Sequence, residues 1–105
     1  MPENSVTTKL KLWQWNEMKG SWYFVTLNKT AEAWLNTIKP KVRRGWGSVP
    51  VTVTIGSTTW QTSVFPDKTR GWVMPVKAKV RKAEGLVEGK LFTITLKRGR
   101  MIRSL

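Results

Sequence analysis

A chain of 105 residues, 40% of them hydrophobic, carries one globular domain with a single modest core and is not a disordered segment. It holds no cysteine and no histidine, which excludes disulfides, thiol nucleophiles, imidazole acid–base chemistry and metals held by either residue. Nineteen Lys and Arg against six Asp and Glu give a net charge of +13, a self-repelling excess that a polyanion relieves; nucleic acid is the first such partner and an acidic membrane surface the second, with solubility alone as the plainer reason.

In chain order, residues 1–5 read as a loose terminus. No apolar run reaches the roughly 18 residues of a membrane helix. The start MPENSV has no charged-then-apolar signal pattern, so a cytoplasmic protein with no membrane partner is expected. From Val6 to Trp15 the pattern alternates, with Leu10 and Leu12 on one face and Lys9, Lys11, Trp13 and Trp15 on the other, which predicts a strand. Asn16 to Gly20 breaks as a turn, and the aromatic, β-branched run Ser21 to Leu27 returns as its hairpin partner. Asn28 or Thr30 caps a helix whose apolar stripe is Ala31, Trp34, Leu35 and Ile38, and which Pro40 ends. A basic loop covers Lys39 to Ser48.

Next, Val49, Val51, Val53 and Ile55 form the inner face of a strand, and Pro50 marks a point where its hydrogen-bonding edge is free. Gly56-Ser57 turns the chain into a second strand, Thr58 to Phe65, and Pro66 to Gly71 turns it again. A short strand, Trp72 to Val76, leads into a two-turn helix from Lys77 to Glu84, stopped by Gly85. Leu91 to Leu96 is the last strand, with Phe92, Ile94 and Leu96 on one face, and residues 98–105 form a frayed basic tail carrying Arg98, Arg100 and Arg103. The segments Phe24 to Leu35 and Val73 to Glu84 repeat one pattern, a strand running straight into an amphipathic helix and then a glycine-bearing connection to another strand. Two such units wrap into one mainly β, closed barrel of about six strands and two short helices, related by a pseudo-two-fold axis.

The segments VPVTVTIGSTTWQTSVFPDK and GWVMPVKAKVRKAEGLVEGK, with WYFVTL at Trp22 to Leu27 and RRGWGSV at Arg43 to Val49, resemble the bacterial domain-of-unknown-function family 1905. The resemblance runs from about Lys9 to Lys97. It implies a double-split β-barrel, similar to the AbrB and MazE DNA-binding barrels but closed within one chain, and it implies no activity. Where the family usually has an acid after the glycine at Gly89, this chain has Lys90. The strong charge is the chain's own, so a nucleic-acid role is not inherited through the resemblance.

Three groups of residues carry the functional expectations. On the second helix, Lys77 and Arg81 are four apart and Lys79 and Lys82 three apart; Lys77 and Lys79 stand in the first turn, against the macrodipole, where free N–H groups and ammoniums together hold a phosphate. The alternative is a solvated face with Val76, Val80 and Ala83 turned inward. In the basic loop, Lys41, Arg43 and Arg44 beside Trp46 combine phosphate grip with a stacking plane, unless Trp46 plugs a barrel mouth. Trp13, Trp15, Trp60 and Trp72 line a cleft for a small hydrophobic or anionic ligand, or simply fill the core. The six acids are scattered singly, so no paired-carboxylate chemistry, metal cage or cofactor is expected. The sequence thus predicts a non-enzymatic monomer or weak homo-oligomer that binds nucleic acid or another polyanion electrostatically; the alternatives are a small-molecule barrel and an interaction module without a ligand.

Overall fold

The computed structural model describes residues 5–15, 22–42 (of 39–42 the backbone alone) and 47–99. Alternating sequence becomes alternating burial: Val49, Val51, Val53 and Ile55 all point into the core, as do Leu10, Leu12, Val25, Met74, Ile94 and Leu96. The strands are β1 (Ser5–Gln14), β2 (Tyr23–Thr26), β3 (Val49–Ile55), β4 (Thr58–Asp67), β5 (Gly71–Pro75) and β6 (Leu91–Arg98), with helices α1 (Lys29–Val42) and α2 (Ala78–Glu84). They close into a barrel in the order β1-β2-β5-β4-β3-β6, every neighbour antiparallel, so neither edge of the sheet is left open.

The two longest strands each serve two neighbours. In β1, Ser5 to Lys11 pair with β6 and Leu12 to Gln14 with β2. In β4, Thr58 to Val64 pair with β3 and Phe65 to Asp67 with β5. Exchanging β1 with β4, β2 with β5 and β3 with β6 maps the barrel order onto itself. The repeat seen in the sequence is therefore a repeat of topology, each half a strand pair, a helix and a closing strand.

Helix α1 buries Ala31, Trp34, Leu35 and Ile38, the stripe expected of it. Asn28 is its cap: Oδ1 accepts from the Ala31 N–H at 2.9 Å, and Nδ2 donates to Thr8 Oγ1 at 2.9 Å, tying the helix entry to β1. The helix does not end at Pro40 but runs to Val42. A proline costs a helix the donor it lacks and crowds the turn before it, yet its own φ is helical, so the residues after it can continue the coil.

Helix α2 is fastened at its far end. Gly85 adopts a left-handed conformation (φ 61°), and the Leu86 N–H reaches back to the Arg81 carbonyl at 3.0 Å. Glu84, in a last turn where the macrodipole disfavours a carboxylate, accepts from Thr58 Oγ1 at 2.6 Å and so clips α2 to the β3–β4 turn. Val76 and Val80 face inward as expected, whereas Ala83 is exposed.

At the β3–β6 seam the Gly99 N–H donates to the Pro50 carbonyl at 3.1 Å, and the ladder proper starts one residue on, at Val51↔Arg98. The missing donor of Pro50 thus falls just beyond the ladder, but the edge there is not free, as its sequence position implied it would be, because Gly99 covers it. Gly99 is buried there, and a Cβ on it would stand 2.5 Å from the Pro50 carbonyl carbon. Ser5 and Arg98, placed by the sequence in loose termini, are instead paired, with Lys97 and Val51 respectively, because β1 and β3 flank the last strand. The remaining terminal residues lie outside those described.

Candidate nucleic-acid interface

Pro75 ends β5, and the Val76 N–H donates to the Tyr23 carbonyl at 2.9 Å, which sets where α2 begins. With Val76 and Val80 buried, the spacing of the helix turns Lys77, Lys79 and Lys82 to solvent. Lys77 is the N-cap residue, in extended conformation, and makes no side-chain cap bond; the first turn holds no acid. Arg81 lies over Tyr23, its guanidinium carbon 4.0 Å from the ring centroid, which holds the cation flat against the aromatic face.

Three clefts open along this side of the barrel. The first, about 220 Å³, lies between Trp22, Tyr23, Pro75, Lys77 and Arg81. A second of about 420 Å³ is walled by Trp15, Trp22, Phe24, Phe65, Val73 and Pro75, with Asp67 at its edge. The third, about 380 Å³, lies between α2 and β4, lined by Thr58, Trp60, Lys77, Lys79 and Val80. Lys77 belongs to the first and third, and Trp22 and Pro75 to the first and second. Adjacent clefts thus share wall residues and form one track, with rings lining all three clefts and cations lining the first and third. Trp22, 47% exposed, stands at its centre.

Register explains the aromatic end of the track. Trp13 sits opposite Phe24, and Phe24 opposite Pro75, on the outer surface of β1, β2 and β5. Ring centroids of Trp13 and Trp15 are 5.4 Å apart, those of Trp15 and Phe24 4.9 Å, and Trp13 Nε1 donates to Thr26 Oγ1 at 2.9 Å. The Arg70 guanidinium stands 4.3 Å from the Trp15 centroid. Asp67 Oδ2 accepts from the backbone N–H groups of Arg70 (2.8 Å) and Thr69 (3.1 Å) and pairs with Arg70 Nη1 at 3.5 Å. The Arg70 N–H above all lowers the Asp67 carboxyl below its ordinary range; desolvation, the next largest effect, opposes it, and the Thr69 N–H and the Arg70 charge add to the lowering.

Of the cations expected to bind, Lys77 and Lys79 line the track, Arg81 is stacked at its centre, and Lys82 is exposed but lines none of the three clefts. Arg43, Arg44 and Trp46 lie outside the described residues, as does the Lys41 side chain. The four tryptophans expected in one pocket are divided. Trp13 and Trp15 share the outer cluster, Trp60 lines the cleft under α2, and Trp72 packs against the barrel core. Parity separates them, because Trp60 and Trp72 fall on core-facing positions of their strands. Trp22, Tyr23, Phe24, Phe65, Asp67 and Arg70 escaped the sequence reading as site residues. Their only signal was the aromatic run at 22–24 and the turn chemistry at 66–71, and neither tells which strands come to lie side by side.

A different face carries a polar row. Thr7, Thr95, Thr54 and Thr59 form one row across β1, β6, β3 and β4, with Thr7–Thr95 and Thr54–Thr59 hydroxyl pairs each at 2.9 Å. These hydroxyls spend much of their capacity on one another. Among the described residues no group of three acids is placed to hold a metal ion, and no helix is long and apolar enough to cross a membrane.

The sequence profile described as Domain of unknown function (DUF1905) matches residues 9–96, from β1 to β6 and through both helices. The chain belongs to the DUF1905 family. In this DUF1905 protein all three clefts are built from residues inside the matched span. No curated protein and no solved structure matches the chain.

Proposed function

We propose that this barrel binds single-stranded nucleic acid along the joined clefts, without catalysing a reaction. The observation that carries the reading is the shared lining: Lys77 links two clefts and Trp22 links two, so rings run along the whole path and cations flank its first and third clefts. Exposed rings offer stacking planes to splayed bases, while ammonium and guanidinium groups grip the phosphates between them. A duplex keeps its bases stacked inside and gains nothing from rings set in clefts. The net charge of +13 supplies the long-range attraction and makes the affinity fall with salt. The second cleft alone, with apolar walls and one carboxylate, also suits a compact aromatic ligand; in the nucleic-acid reading it takes a base.

Titrating the protein with a mixed-sequence single strand of about twelve nucleotides at about 50 mM salt, and following tryptophan fluorescence, tests this. Binding with quenching is expected, and Trp22→Ala should weaken it by about 1–3 kcal/mol, the worth of one stacked base. Absence of binding under these conditions overturns the proposal.

A further inference from the structure

In a chain so rich in cations, a carboxylate at the edge of an aromatic cleft needs a reason. The acids of the described residues otherwise have structural or peripheral positions: Glu84 clips α2 to the β3–β4 turn, Glu32 lies in the first turn of α1, and Glu88 bridges to β1. Asp67 is different. Its Oδ2 takes two backbone N–H bonds and the Arg70 ion pair, which fixes the carboxylate in place, and no described residue bonds its Oδ1. The side chain remains 22% exposed at a cleft otherwise walled by Trp15, Trp22, Phe24 and Phe65.

On the reading that this track binds single strands, we infer that Asp67 makes the second cleft a base-selective one, accepting bases that carry an exocyclic amino group, cytosine foremost, and disfavouring uracil and thymine. A carboxylate repels phosphate, so its place is beside a base and not along the backbone. Toward a ring held between aromatic side chains it presents an acceptor only. Cytosine meets it with the N4 amino donor, a pairing that acidic side chains make with this base. Uracil and thymine present O4 at the same position, which sets lone pair against lone pair where water has been displaced, and their one donor on this edge, N3–H, lies at the next position along the ring edge, not where the N4 amino group stands. The fixed geometry of the Asp67 turn means the carboxylate cannot swing away to relieve that clash, and like an ordinary aspartate it is ionised at neutral pH. A cationic ligand in the same cleft is opposed by the +13 charge, and the Arg70 guanidinium already stands 4.3 Å from the Trp15 ring.

The test compares oligo-dC with oligo-dU, each about twelve nucleotides, at one salt concentration and slightly alkaline pH, where cytosine N3 is unprotonated. The two polymers differ only at the edge that Asp67 reads. Wild-type protein should favour dC by about fivefold or more, and Asp67→Asn, whose amide both donates and accepts, should bring the two within about twofold. Because Asp67 also shapes its turn, a second probe leaves the protein unchanged: an oligo-dC with N4,N4-dimethylcytosine, which lacks the amino donors, should bind no better than dU. Equal binding of dC and dU, or a dC preference that survives Asp67→Asn or dimethylation, overturns the inference and leaves single-strand binding standing. Binding of neither polymer overturns both.

Discussion

Lys77 occupies the position where α2 most needs a different residue. Its backbone has N-cap geometry (φ −65°, ψ 153°), but its side chain makes no cap bond, whereas Asn28 at the start of α1 holds the Ala31 N–H at 2.9 Å. Replacing Lys77 with serine supplies an acceptor for the first-turn N–H groups, worth about 1 kcal/mol, and removes a cation from the positive end of the dipole, worth about 0.3–1 kcal/mol. The sum is about 1–2 kcal/mol of added stability, which for a domain of this size is a rise in Tm of about 5–10 °C. The same substitution removes a cation shared by two clefts, so single-strand affinity should fall, and the slope of log affinity on log salt should become shallower by about 0.7, one phosphate contact. Lys82→Ser is the control: it lies in the last turn, where a cation is favourable, and outside the clefts, so it should cost a few tenths of a kcal/mol and change affinity little. Thermal melts by circular dichroism and salt-titrated binding read both effects. An unchanged or lower Tm for Lys77→Ser refutes the capping argument, and a higher Tm with unaltered affinity and slope removes Lys77 from the interface.

Two further predictions concern the scaffold. Gly99→Ala places a Cβ 2.5 Å from the Pro50 carbonyl carbon, backbone that cannot rotate away, so the β3–β6 seam must open slightly; denaturant melts should show a loss of about 1–3 kcal/mol, and a neutral result refutes that packing. The Asp67 carboxyl titrates below its ordinary 3.8 in the folded chain, so the unfolded chain binds the proton more readily and the carboxylate stabilises the fold. That contribution is complete at neutral pH and is lost as pH falls through the folded value. The stability difference between wild type and Asp67→Asn should therefore be constant near neutrality and shrink below about pH 4, and a difference that stays flat into acid contradicts a carboxylate held by the Arg70 N–H and ion pair.

Much of the fold was legible because periodicity states which way a residue faces. The alternation Val49–Ile55, the stripe Ala31–Trp34–Leu35–Ile38 and the glycine stop at Gly85 each named their own geometry, and the echo between the two helical segments gave the barrel its pseudo-symmetry. Periodicity does not state which strand lies alongside. The hand-over within β1 after Lys11 and within β4 after Val64, and the β3–β6 seam that closes the barrel, join residues distant in sequence and left no local mark. The site shows the same limit. The first-turn lysines of α2 were legible from charge and spacing, whereas the Arg81–Tyr23 stack and the union of three clefts at Lys77, Trp22 and Pro75 exist only once β2 lies against β5. Pro40 misled for another reason: a missing donor is a local penalty, and the buried stripe ahead of it outweighs that penalty.

Two-dimensional amide and indole NMR of the labelled protein, recorded while a single-stranded oligonucleotide is added, reads the interface residue by residue. If single strands bind along the clefts, the indole N–H of Trp22 and of Trp60 and the amides of Tyr23, Lys77, Lys79 and Arg81 shift together, while Thr7, Thr54, Thr59 and Thr95 stay still. Shifts concentrated on the threonine row, or spread evenly over the barrel, would contradict it.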